Sequence, residues 1–266
     1  MRPVPSDGPS GGPLAGRPAT SWRPSPVFLV LVALVAGSGA LAWSSERYAR
    51  LAVFVLVVSG WLVSLCLHEY AHALVAYRFG DRSVAYRGYL TLNPFRYTHP
   101  VLSVGLPVLV VLLGGIGLPG GAVWVDRHRI AGRVRHTLVS LAGPAVNVSL
   151  AVALAVPFLV GVDPGGRQEF WAGIALLGFL QLTASVLNLL PVPGLDGGNM
   201  IQPWLPPAWQ RGYQVLAPFG FIGLFALLWD DQIGGAFFQA VFRLGDLIGL
   251  PAPLYSYGLA LIRFWS

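Results

Sequence analysis

Residues 51–67 carry no charged side chain, and the run passes straight into His68-Glu69-Tyr70-Ala71-His72. An uncharged stretch of that length suits a helix crossing a bilayer, where every backbone N–H and C=O must be satisfied within the protein. Two imidazoles and a carboxylate at that depth are costly unless they have partners and a task. Residues four apart share one helix face, so His68 and His72 can ligate one metal ion. Glu69 turns partly away but stays close enough to act on a water at that metal. Two imidazoles on zinc, with a carboxylate as general base, is the pattern of a zinc protease.

The rest of the chain has the same apolar character. Of its 266 residues 55% are hydrophobic and only 11% are charged, against about 25% charged in a soluble domain. The expected fold is an all-α polytopic membrane protein. Apolar runs at 27–43, 51–79, 137–160, 170–190, 213–229 and 233–250 predict a bundle of about six transmembrane helices, with Arg243 and Asp246 weakening the last. Residues 81–100 alternate (Val84, Tyr86, Tyr89) and carry Arg82, Arg87 and Arg96, which predicts a short extended or hairpin segment at the membrane surface after the second helix. Residues 101–118 are apolar but broken by Gly105, Pro107, Gly114, Gly115 and Gly117, as in a re-entrant or surface-lying segment. Residues 1–25, rich in Pro, Gly and Ser, read as a disordered cytoplasmic tail, and 26–266 as the membrane-embedded domain, with its core at 51–200.

The net charge of +6 rests on arginine, with no lysine present. These arginines lie in short segments between apolar runs, where they anchor helices and set topology, so no nucleic-acid partner is expected. The arginine-only, Ala/Gly/Pro-rich usage points to a GC-rich, bacterial genome. Cys66 is the single cysteine, which excludes a disulfide framework, and it reads as a small packed hydrophobe.

Topology decides which residues can meet. With the basic tail inside, the second helix returns to the cytoplasmic side and brings His68 and His72 near that face. If 101–118 crossed the bilayer, Asp196 would end on the opposite face. If it does not cross, Asp196 arrives on the side of the histidines. The arginine bias and the need for a third ligand both favour no crossing.

Catalytic zinc usually has three protein ligands and a water. Asp196 stands in a Pro/Gly-rich turn just past an apolar helix, where a carboxylate is costly without a cation. His99, His128 and His136 lie in basic segments and read as solvated or interfacial, and Asp81 reads as a turn residue. Asn188, inside an apolar helix, either stabilises a developing oxyanion or makes an interhelical hydrogen bond. Asn147 follows Ala142-Gly143-Pro144, where Gly143 permits close helix approach. It has either a structural role or one in contacting substrate.

Four motifs in order carry a resemblance: His68-Glu69-Tyr70-Ala71-His72, Leu90-Thr91-Leu92-Asn93-Pro94, Ala142-Gly143-Pro144-Ala145-Val146-Asn147, and Asn188-Leu189-Leu190-Pro191-Val192-Pro193-Gly194-Leu195-Asp196-Gly197. Together they resemble the site-2 protease family of intramembrane zinc metalloproteases (peptidase family M50), over roughly residues 60–200. The resemblance implies His68, His72 and Asp196 as ligands of one Zn2+ per chain, and Glu69 as catalytic base. It implies cleavage of transmembrane protein substrates within the lipid bilayer. Pro193 and Gly194, in the Gly/Pro loop, are candidates to receive the extended substrate, as is the segment near Tyr89. Gly194 stands where the family often has a second Pro, and no stretch suits an inserted PDZ domain or a CBS-like region, so a compact member is expected. Two rival readings are a non-proteolytic membrane scaffold of the same fold and a metal transporter. Intact His68, Glu69, His72 and Asp196 speak against the first, and clustering of the polar groups at one end speaks against the second.

Overall fold

A helix that is apolar on every side has two stable surroundings, other helices or lipid. The computed structural model describes residues 22–96 and 123–263, and its long helices use both. Four are long and apolar enough to cross a membrane: α1 (Pro26–Ser44), α2 (Ala49–Arg78), α4 (Arg133–Leu159) and α5 (Gln168–Leu189). The span ending in α5 is 78% buried and that of α2 61%, whereas α1 is only 28% buried. So α5 and α2 form the interior, while α1 and α4 show much of their surface to lipid. The core lies between them, around Val53, Val57, Leu176 and Leu180, with α10 (Ala252–Ile262) closing it through Tyr255 and Leu261.

Small residues let these helices approach, as expected where lipid is as apolar as leucine. Gly60 of α2 faces Leu177 of α5, where a Cβ would lie 2.7 Å from Leu177 Cδ2. One turn on, Gln181 Nε2 donates to Ser64 Oγ at 2.8 Å. Residue numbers rise together along this contact, so α2 and α5 are parallel. Between α2 and α4 they run oppositely: His68 meets Asn147 and His72 meets Val139. The chain therefore leaves α2 and enters α4 at the same end of the bundle, and α5 also ends there. The expected re-entrant segment 101–118 lies outside the described residues, as do residues 1–21 of the expected disordered tail. The tail's last residues are packed: Trp22 stands edge-on to Tyr77 at 5.1 Å, Ser25 N–H donates to Thr91 O at 2.8 Å, and Ser25 caps α1.

One expectation fails. Residues 97–100 lie outside the described residues; in its described part, residues 81–96, the segment after α2 is not extended or a hairpin. It is a single helical turn, α3 (Ser83–Tyr86), followed by 3-10 turns at Tyr89–Thr91 and Pro94–Arg96, and there is no strand among the described residues. The alternating apolar residues have another use: Val84, Tyr89 and Leu90 are buried in a satellite core with Ala73, Ala76 and Ile130. Left-handed backbone at Gly88 (φ 77°) and Leu92 (φ 57°) folds the segment into turns and prevents it from running straight.

Beyond α5 come the short α6 (Asp196–Ile201), α7 (Pro207–Leu216), α8 (Gly220–Trp229), α9 (Asp231–Leu247) and α10. The expected spans at 213–229 and 233–250 are each part of a bent pair, α7 with α8 and α9 with α10, the second bent by 118°. Counting each pair as one span gives up to six crossings. Pro206, Pro207 and Pro218 at the ends of α7, and Gly249-Leu250-Pro251 between α9 and α10, supply the breaks.

Candidate metal centre

The α2 helix sets His68 and His72 one turn apart on the face towards α4, and both are buried. Each ring is held through Nδ1. His72 Nδ1 lies 2.6 Å from the Val139 carbonyl, which can only accept, so Nδ1 carries the proton and Nε2 keeps its lone pair. His68 Nδ1 lies 2.9 Å from Asn147 Oδ1, which imposes the same tautomer. Asn147 is thus buried behind His68.

Asp196 opens α6. Its loop doubles back so tightly that a Cβ at Gly197 or Gly198 would strike the Leu189 or Val192 carbonyl. Gly194 sits at φ 93°, favourable only for glycine, with its Cα against the Ala217 carbonyl. This delivers the carboxylate to the histidines: Asp196 Oδ2 is 3.3 Å from His68 Nε2 and Oδ1 is 3.3 Å from His72 Nε2. The two Nε2 atoms are 3.0 Å apart.

Those separations suit zinc. A tetrahedral ion with bonds of about 2.0–2.1 Å has ligand–ligand edges of about 3.3 Å. Nitrogen and carboxylate donors are the right set, and among the described residues this is the convergent group of three that could hold an ion. Gly143 of α4 keeps the space open: a Cβ there would lie 2.5 Å from His68 Nε2 and collide with His72 Nε2. Sequence reasoning gave Gly143 a helix-packing role; its position over the ligand atoms depends on the crossing of α2 and α4, which no local pattern records.

Glu69 is 2% exposed. Its Oε1 stands 3.9 Å from His68 Nε2, while Oε2 accepts the Val123 N–H at 2.9 Å. Asn188 is buried in the last turn of α5, at the same end of the bundle. Pro193 and Gly194 pack against residues 217–220, with Gly194 exposed. Behind α6, Thr137 Oγ1 donates to the Met200 carbonyl at 2.9 Å, and Arg127 Nη1 donates to Gln202 Oε1 at 2.6 Å. Burial pulls the Arg127 guanidinium below its ordinary value, with Asp196 acting the other way. His128 is exposed and His136 half-buried, and neither joins the triad; His99 lies outside the described residues.

Three curated relatives cover most of the chain. "Putative zinc metalloprotease Rip2" of Mycolicibacterium smegmatis is 50% identical over 250 residues, which is 92% of this chain and 96% of the relative. The protein of the same name in Mycobacterium tuberculosis is 51% identical over 250 residues, with the same coverage. "Putative zinc metalloprotease YwhC" of Bacillus subtilis is 32% identical over 201 residues, 70% of this chain and 85% of the relative. No family model and no solved structure matches.

Proposed function

Because the chain belongs to the site-2 protease family of zinc metalloproteases, we propose that His68, His72 and Asp196 hold its one zinc ion and that Glu69 is the catalytic base. The observation that carries this is the convergence of two buried histidines and the half-buried Asp196 at 3.0 to 3.3 Å, with the Glu69 carboxylate beside them. The substrates are transmembrane segments of other proteins, cut within the bilayer.

A bound zinc supplies Lewis-acid polarisation of a peptide carbonyl and acidification of a water. The chain supplies the rest. Val139 and Asn147 fix the ring tautomers so that both Nε2 lone pairs would be available to hold the ion. Glu69 takes the proton of the attacking water at Oε1 and delivers it to the departing amine nitrogen. The Val123 N–H occupies Oε2, so the carboxylate has one oxygen free for this transfer. Asn188 is the candidate donor to the oxyanion that forms on the substrate carbonyl. The site end of the bundle carries Arg78, Arg82, Arg87, Arg127, Arg129, Arg133 and Arg135, and the far end only Arg47, Arg50 and Arg167 on the same helices and loops. That bias supports a site near the cytoplasmic face.

The test is Glu69→Gln in proteoliposomes with single-pass transmembrane reporter proteins. The expected result is wild-type zinc content with cleavage reduced by about 100- to 10,000-fold, the scale for loss of a general base. A variant that cleaves at the wild-type rate would remove Glu69 as the base.

A further inference from the structure

Asp81 is fully buried and takes no part in the chemistry above. Its Oδ1 accepts from the Ser83 N–H at 2.9 Å and from Ser83 Oγ–H at 2.6 Å, which starts the turn of α3. Its Oδ2 does something a turn residue need not do. It accepts the N–H of Asp126 at 2.8 Å, from a segment distant in sequence. Residues 123–126 are non-helical, and the Val123 N–H is the group seated on Glu69 Oε2 at 2.9 Å. Only Trp124 and Val125 lie between, so a backbone held at 126 leaves little freedom at 123. The hold continues past Asp126. Its own carboxylate accepts from the His128 N–H at 3.2 Å and from Arg129 Nε at 2.8 Å, and the Arg129 carbonyl lies against Gly80, next to Asp81.

We propose that Asp81 is a positioning residue for the proteolytic centre: through the Asp126 N–H it holds residues 123–126 so that the Val123 N–H fixes the Glu69 carboxylate. The proposal rests on the assignment of Glu69 as base. The physical need is orientation. A carboxylate turns easily about its last bond, and a backbone donor on one oxygen leaves the other aimed at the reaction. Outer partners of this kind typically change activity about 10- to 100-fold when removed.

The experiment is a double-mutant cycle on the full chain in detergent, with wild type, Asp81→Ala, Asp81→Asn, Val123→Pro and the Asp81→Ala/Val123→Pro double variant. Zinc content and steady-state cleavage of a transmembrane reporter are read for each, beside Glu69→Gln. Asp81→Ala is expected to lower kcat about 10- to 100-fold, with KM unchanged and one zinc per chain retained. Asp81→Asn recovers part of that loss: its amide oxygen still accepts the Asp126 N–H and its NH2 can donate to Ser83 Oγ, but that NH2 also faces the Ser83 N–H, a second donor. Val123→Pro, which lacks the N–H, loses activity by a similar factor. The double variant stays within about twofold of Val123→Pro alone, since both changes break one linkage. A double variant that multiplies the two losses would overturn the proposal. So would Asp81→Ala at wild-type kcat, or zinc lost in Asp81→Ala, which would place its role in the metal site. A zinc-loaded wild type that cleaves no better than Glu69→Gln would instead overturn the functional reading underneath.

Discussion

At the scale of single residues the centre depends as much on what is missing as on what is present. Gly143 has no side chain where a Cβ would strike both Nε2 atoms, which leaves open the space proposed for the ion. Gly143→Ala is therefore expected to reduce zinc to well below one per chain, although alanine is a better helix former by about 1 kcal/mol. Metal analysis of the purified variant checks this, and stoichiometric zinc would show that α4 can shift without cost to the site. The four groups proposed to do chemistry could be picked out in the sequence because helical spacing fixes His68 against His72 and because a carboxylate such as Asp196 has few uses beside an apolar helix; the fold brings them together. Of their supports, Asn147 stood out as a polar residue on an apolar helix, but the backbone ones were not legible. Val139 acts through a carbonyl and Val123 through an N–H, and backbone groups leave no trace in residue identity.

At the scale of elements, the long apolar runs gave the membrane helices nearly to the residue: 27–43 against Pro26–Ser44, and 170–190 against Gln168–Leu189. Composition alone decides such segments, because lipid accepts little else. The reading of 81–100 failed for the complementary reason. Alternation there marks which side chains reach the satellite core, and buried Asp81 and left-handed Gly88 and Leu92 turn the backbone instead of extending it. The bent pairs after α6 were also missed as such, since continuous hydropathy hides a break. Close packing between elements makes a prediction of its own. Gly258 of α10 sits against α5, where a Cβ would lie 2.9 Å from Leu176 Cβ and strike the Ala172 carbonyl. Gly258→Leu should destabilise the bundle by about 1–3 kcal/mol, seen as a lower midpoint of thermal unfolding in detergent, with zinc retained at low temperature. An unchanged midpoint would mean that α10 is not seated on α5 as described.

At the scale of the whole molecule, α2 and α4 are antiparallel and α2 and α5 parallel, and this arrangement brings a residue near position 70 to one near 196 at a single end of the bundle. That end is proposed to face the cytoplasm because of its arginines. In a Cys66→Ser background, cysteine at exposed Arg87 should react with a membrane-impermeant reagent only in opened cells, and cysteine at exposed Asp163 in intact ones. The reverse pattern would invert the topology and leave the site geometry untouched. The central claim, one zinc ion held jointly by α2 and α6, is tested most directly by the metal content of the purified protein beside His72→Ala and Asp196→Ala. One zinc per chain in wild type, lost in both variants, is the predicted result. Zinc retained at full occupancy in Asp196→Ala would contradict it, because the carboxylate that joins the two helices at the metal would then not be a ligand.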